Sequence, residues 1–135
     1  MPHLVILYTP NLGSRTDLTA LSRALADTMI AQRDEGGAPL FPVAGTRVLA
    51  YPATHFAVAD GSGDFGFIYL QLRMARGRTD AAKKRLGDAL AATVRGQLAS
   101  MLEAHAVGVT LQIDEGAELF DAKLGNLHAL FQNKA

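Results

Sequence analysis

Twice along this chain a run of strand-forming residues is followed by a stretch in which apolar side chains return every three or four positions. The first run is HLVILYT at 3–9, and Leu18, Leu21, Leu25 and Met29 follow it. The second is DFGFIYLQLRM at 64–74, and Leu86, Leu90, Val94 and Leu98 follow it, extended by Met101 and Leu102. A return of three to four residues is one face of a helix, whereas short apolar, β-branched runs are strands. Each helical stretch leads into another strand. TRVLAYPATHFAVA at 46–59 is rich in strand formers. In VGVTLQID at 107–114, Val107, Val109, Leu111 and Ile113 alternate with Thr110 and Gln112. The order is β-α-β, then β-α-β again, then a tail.

That order predicts an α+β fold built from α/β-type repeats: a four-stranded mixed sheet with two helices on one face. The chain reads as a single domain, 1–135, with one β-α-β unit at 3–59, another at 64–114 and a C-terminal tail at 115–135. A helix-linked pair of strands runs parallel with a right-handed crossover, so strands one and two are parallel. DGSG at 60–63 is a hairpin signal, which makes the third strand antiparallel to both. Leu4 to Tyr8 is apolar on both faces and reads as a central strand. Pro52 marks an edge or a bulge. Ser14 with Asp17 resembles a capping box, giving a first helix over 14–33. Thr79 is the expected N-cap of the second helix, which ends before Val107. Scattered apolar residues of the tail, Leu119, Phe120, Leu124, Leu127, Leu130 and Phe131, do not make a third long helix.

With both helices on one face, the other face has no cover within the chain. Hydrophobic residues make up 49% of the sequence and charged ones 19%. That balance fits a second copy over the open face. A net charge of zero gives no reason to expect nucleic acid or an anionic membrane as partner. The chain has no cysteine, which excludes disulfides and thiolate chemistry. No apolar stretch reaches the ~18 residues that span a bilayer. The start lacks the basic and apolar regions of a signal peptide, so a cytoplasmic location is expected.

The topology also collects residues at one end of the sheet. Pro2 precedes strand one, and Arg47 opens the parallel strand two. The antiparallel third strand delivers Arg73, Arg76 and Arg78 to the same end, beside a helix N-terminus that suits an anion. If Met1 is removed, Pro2 carries a secondary amine. Desolvation and neighbouring cations disfavour its ammonium form, so a neutral general base results. The arginines would bind a carboxylate and stabilise enolate charge. Of the four, Arg73 reads as a surface charge. His3, His55 and His105 have no metal-ligand spacing. His128 sits among apolar residues as a packing side chain or, less simply, a substrate contact.

These stretches resemble the 5-carboxymethyl-2-hydroxymuconate isomerase family of the tautomerase superfamily. The resemblance is carried by MPH at the start, FPVAGTR at 41–47, GR at 77–78 and NLHALF at 126–131, in order over the full length. It implies a tautomerase-like fold, with Pro2 as the proton-transfer residue and Arg47 and Arg78 as active-site arginines. It further implies a homotrimer with sites between subunits, no cofactor, and keto–enol tautomerisation of a small unsaturated polycarboxylate in homoprotocatechuate degradation; no metal is expected either, from the histidine spacing. Family members have a second arginine where this chain has Leu49, and a small residue where it has Arg76. Arg76 is the candidate to replace the missing contact, and His128 is carried as a further substrate-binding candidate.

Two other readings of the residues stay open. One is hydration or dehalogenation of a small unsaturated acid on the same fold. Hydration wants a carboxylate to activate water, and Asp60, Asp64 and Glu115 are the suppliers considered, none expected at the Pro2 end. The other is a non-enzymatic oligomeric binding protein.

Overall fold

A computed structural model describes residues 2–132. The expected removal of Met1, and the last three residues of the tail, lie outside the described residues. Four strands, β1 (His3–Tyr8), β2 (Arg47–Pro52), β3 (Gly66–Ala75) and β4 (Val107–Gly116), form one sheet in the order β2-β1-β3-β4. β1 runs parallel to β2 and antiparallel to β3, and β3 runs parallel to β4. Two helices, α1 (Leu18–Ile30) and α2 (Asp80–Ala104), complete the two β-α-β units.

The helices cover one face. Leu4, Ile6, Ile68, Leu70, Leu72 and Met74 point into the core, where they meet Leu21, Leu25 and Met29 of α1 and Leu86, Leu90 and Leu98 of α2. Val107, Val109, Leu111 and Ile113 pack against the same core, as their alternation predicts. The helices are joined at a polar point, where the hydroxyls of Thr28 and Thr93 lie 2.7 Å apart. The other face stays open. Leu7, Leu49 and Tyr51 are 44%, 49% and 49% exposed there.

Three local expectations change. Ser14 does not cap α1: Asp17 does, its Oδ1 accepting from the Ala20 amide at 3.0 Å. Residues 10–16 are held instead in successive turns, with the Arg15 and Thr16 amides both donating to the Leu12 carbonyl. The helix also stops at Ile30 rather than at 33. The Leu40 amide donates to the Gln32 carbonyl and Arg33 bridges Pro39, which folds the chain back on itself.

The third change is topological. DGSG does not close a hairpin, because β3 pairs with β1 and not with β2. β1, apolar on both sides, takes the inner position, and β2, which ends at Pro52, takes the edge. The 53–65 segment therefore passes the end of β1, where the Ala53 amide donates to the Tyr8 carbonyl at 2.7 Å. Glycine is required at Gly61, whose φ is +74°.

Thr79 caps α2 as expected, its hydroxyl accepting from the Ala82 amide at 3.1 Å. Among its described residues the tail has no long helix, only a 3-10 turn at His128–Phe131. Among the described residues no helix is long and apolar enough to cross a membrane.

Candidate active site at the N-terminal end of the sheet

Pro2 is buried immediately before β1. One residue on, His3 lies between Arg47 of β2 and Arg73 of β3 in the strand register, and Arg73 is opposite Asp114 of β4. A row Arg47–His3–Arg73–Asp114 thus crosses the sheet one step from the proline. Leu49, where the family resemblance expects an arginine, is on the same open face two residues along β2 from Arg47.

Arg47 leans onto its neighbour. Its Nε donates to Nδ1 of His3 at 3.1 Å, its Nη2 is 2.8 Å from His3 Nε2, and its Nη1 donates to the Gly45 carbonyl at 3.2 Å. Arg73 reaches the other way, its guanidinium lying against Gly116 of β4. His3 is pushed below the ordinary histidine range, chiefly by burial and then by Arg47, with Arg73 adding to the shift. Asp121 in the tail opposes it.

Arg78 lies beyond the end of β3, after Gly77, whose φ of +117° only glycine adopts freely. Its Nη1 donates to the Ala75 carbonyl at 2.9 Å and its Nη2 to the Leu40 carbonyl at 3.1 Å. The guanidinium sits over the Phe41 ring, 4.8 Å from its centre. Arg76 and Arg78 together line a cleft of about 650 Å³ between residues 34–40 and the start of α2. His128 lines a smaller cleft of about 280 Å³ with Phe41, Pro42, Val43 and Ala44, its Nε2 buried and without a hydrogen-bond partner among the described residues.

Among the described residues, the predicted ones therefore share one end of the sheet, but neither of these two clefts gathers them all. Pro2 and Arg47 border neither cleft. Leu40 and Phe41 link the two, since Leu40 borders the Arg78 cleft and Phe41 the His128 cleft.

Two further points correct the sequence reading. Glu115 does reach the Pro2 end, because β4 is parallel to β3 and places it opposite Met74. Its carboxylate is held by Lys83 at 3.1 Å. Asp60 and Asp64 lie in the segment between β2 and β3, at the far end, where Asp64 pairs with Arg15. The second point is His3, passed over because it shows no metal-ligand spacing. The signal that would have found it is the strand register, which sets it beside Arg47.

The chain matches the model of the family described as 5-carboxymethyl-2-hydroxymuconate isomerase over residues 2–131. It belongs to that family. A solved structure described as a 5-carboxymethyl-2-hydroxymuconate delta-isomerase is 53% identical and superposes with a TM-score of 0.95, covering 100% of this chain and 95% of that one. A 5-carboxymethyl-2-hydroxymuconate isomerase from Deinococcus radiodurans R1 is 31% identical, with a TM-score of 0.84 and coverage of 97% and 94%. The Escherichia coli 5-carboxymethyl-2-hydroxymuconate Delta-isomerase is 25% identical over 132 residues, 98% of this chain and 100% of that protein. At the level of fold alone, a fused 4-OT described as a symmetric trimer is similar, with 17% identity and a TM-score of 0.50. The chain is an isomerase with the tautomerase fold.

Proposed function

We propose that the protein ketonises 5-carboxymethyl-2-hydroxymuconate, or a closely related unsaturated polycarboxylate, with the Pro2 amine moving the proton. The dienol loses its hydroxyl proton to the neutral amine as the oxygen becomes a carbonyl. The electron pair runs along the diene to its far carbon, which takes a proton from the prolyl ammonium. Atoms and charge balance with no cofactor. Arg47 and Arg78 hold carboxylate groups and stabilise the developing enolate, and Arg76 supplies a contact in place of the arginine missing at Leu49. His128 borders the substrate from the tail. The working form is a homotrimer, its subunits closing the open sheet faces and completing the site between them.

One observation carries this reading: a buried proline begins an inner strand whose first residue is flanked by arginines on both sides. Hydration is the weaker reading, because the nearest strand carboxylate considered for it, Glu115, is already in an ion pair.

The test compares protein with and without Met1. Retained methionine turns the proline nitrogen into an amide, which is not basic. Both forms are confirmed by intact mass and assayed on one dienol. The processed form is expected to be faster by orders of magnitude, with Pro2→Ala in between because it keeps a primary amine. Equal rates with and without Met1 would refute the proline mechanism.

A further inference from the structure

The Arg47 guanidinium has no acceptor of its own, so a hydrogen bond to His3 needs a free lone pair on the imidazole. The neutral ring offers one and the imidazolium offers none. Donation from Arg47 Nε to Nδ1 at 3.1 Å requires the Nδ1 lone pair of a neutral His3, with the ring proton on Nε2. Nη2, 2.8 Å from Nε2, is then a close contact between two donors and not a second hydrogen bond. With the Gly45 carbonyl on Nη1, the arginine is held from two sides.

We infer that His3 is a positioning residue, which seats Arg47 for the substrate carboxylate while neutral and releases it when protonated. This rests on the proposed role of Arg47 toward substrate. The groups around the ring are Arg47 on β2, Arg73 on β3 and Asp121 of the tail. The two arginines are cationic, and Asp121 is shared with Lys123, 2.5 Å away. Asp114, at the end of the row beyond Arg73, accepts from Gln71 at 2.6 Å.

The direction of the pH effect follows. Burial and then Arg47 hold His3 below its ordinary value of 6.5. The neutral pair is intact above that value and is lost as the pH falls through the lowered native one. A released Arg47 weakens substrate binding, so KM rises at acid pH, separately from protonation of Pro2.

The experiment has two arms on the processed full chain. Nitrogen NMR follows the His3 ring through a pH titration in the wild type and in Arg47→Ala. Kinetics give KM and kcat against pH for the wild type, His3→Leu, His3→Asn, Arg47→Ala and His3→Leu/Arg47→Ala.

Arg47→Ala should move the His3 midpoint upward. His3→Leu should raise KM about fivefold to tenfold at neutral pH, the size of one hydrogen bond, with kcat little changed and no further effect in the Arg47→Ala background. His3→Asn presents an amide oxygen near the place of Nδ1. It should recover most of that loss and remove the acid rise in KM. An unmoved midpoint, fully additive losses in the double variant, or an acid rise that survives in His3→Asn would each overturn the inference. If the midpoint moves but Arg47→Ala leaves KM unchanged, the pair is real and the substrate role of Arg47 is what fails, taking the positioning role of His3 with it.

Discussion

Arg78→Ala tests the site and the fold in one substitution. The half-buried guanidinium makes two hydrogen bonds, to the carbonyls of Ala75 and Leu40, and sits over Phe41. It thereby ties residues 39–41 to the end of β3. A hydrogen bond is worth about 1 kcal/mol net, and a partly exposed cation over a ring about 0.5–1 kcal/mol. The loss should come to about 2–3 kcal/mol. For a chain of this size that is a fall in Tm of roughly 10 °C, measured at fixed protein concentration because subunit association shifts it. Substrate contact adds a separate loss. One charge-assisted bond to a carboxylate is worth ~1.5–3 kcal/mol, or about one to two decades in kcat/KM. Arg78→Lys separates the two: a lysine keeps a charge but cannot reach both carbonyls with a planar fork. It should lose most of the stability increment and a smaller part of kcat/KM. Urea unfolding and steady-state kinetics on the dienol read both quantities. Wild-type kcat/KM in a folded Arg78→Ala would remove Arg78 from the site. An unchanged Tm would refute the hydrogen-bond argument.

Leu49→Asp places a carboxylate on the open sheet face and should shift the mass in light scattering from trimer toward monomer; a wild type that is monomeric at micromolar concentration would refute the proposed assembly. Thr79→Ala removes the α2 cap and the 2.5 Å bond to Glu35 and should cost about 1 kcal/mol in urea unfolding, with no loss expected if the cap is redundant. Raising ionic strength from 0.01 to 0.15 M shortens the screening length from about 30 to 8 Å and should lower kcat/KM for a polycarboxylate more than for a monocarboxylate analogue; equal salt slopes would argue against an anion-receptive end.

The elements legible in the sequence were those whose cause is local. Leucines at helical spacing place both helices, and alternation in β4 turns Val107, Val109, Leu111 and Ile113 inward. Thr79 caps the helix it precedes. Pairing was only partly legible, because a strand's neighbour is decided by the competition among all strands for the core. DGSG supplies a reversal, and β3 still passes over β2 to reach β1, whose two apolar faces suit an inner position. Glu115 was legible by the crossover rule, since a helix-linked β4 runs parallel to β3 and ends at the Pro2 end. Ser14 and Asp17 are both good caps. The choice between them turned on the turns at 10–16, which depend on Leu12 being fully buried. His3 was invisible as a functional residue because its partner is 44 positions away in sequence.

The proposed binding role of this end of the sheet rests on the allocation of its acids. The chain as a whole is neutral, with 13 basic and 13 acidic residues, so a concentration of charge must come from how partners are assigned. Glu35 takes Thr79 and Arg85. Glu115 takes Lys83, and Asp121 takes Lys123. Asp114 takes Gln71. Among the described residues, none of the ion pairs includes Arg47, Arg73, Arg76 or Arg78. Arg47 and Arg78 are instead held by neutral acceptors, an imidazole and backbone carbonyls. A neutral acceptor fixes the position of a guanidinium without cancelling its charge. Guanidiniums held in this way keep their affinity for an anion and lose little freedom when one binds. A carboxylate supplied by the chain would have fixed them equally well and left nothing for a substrate to neutralise.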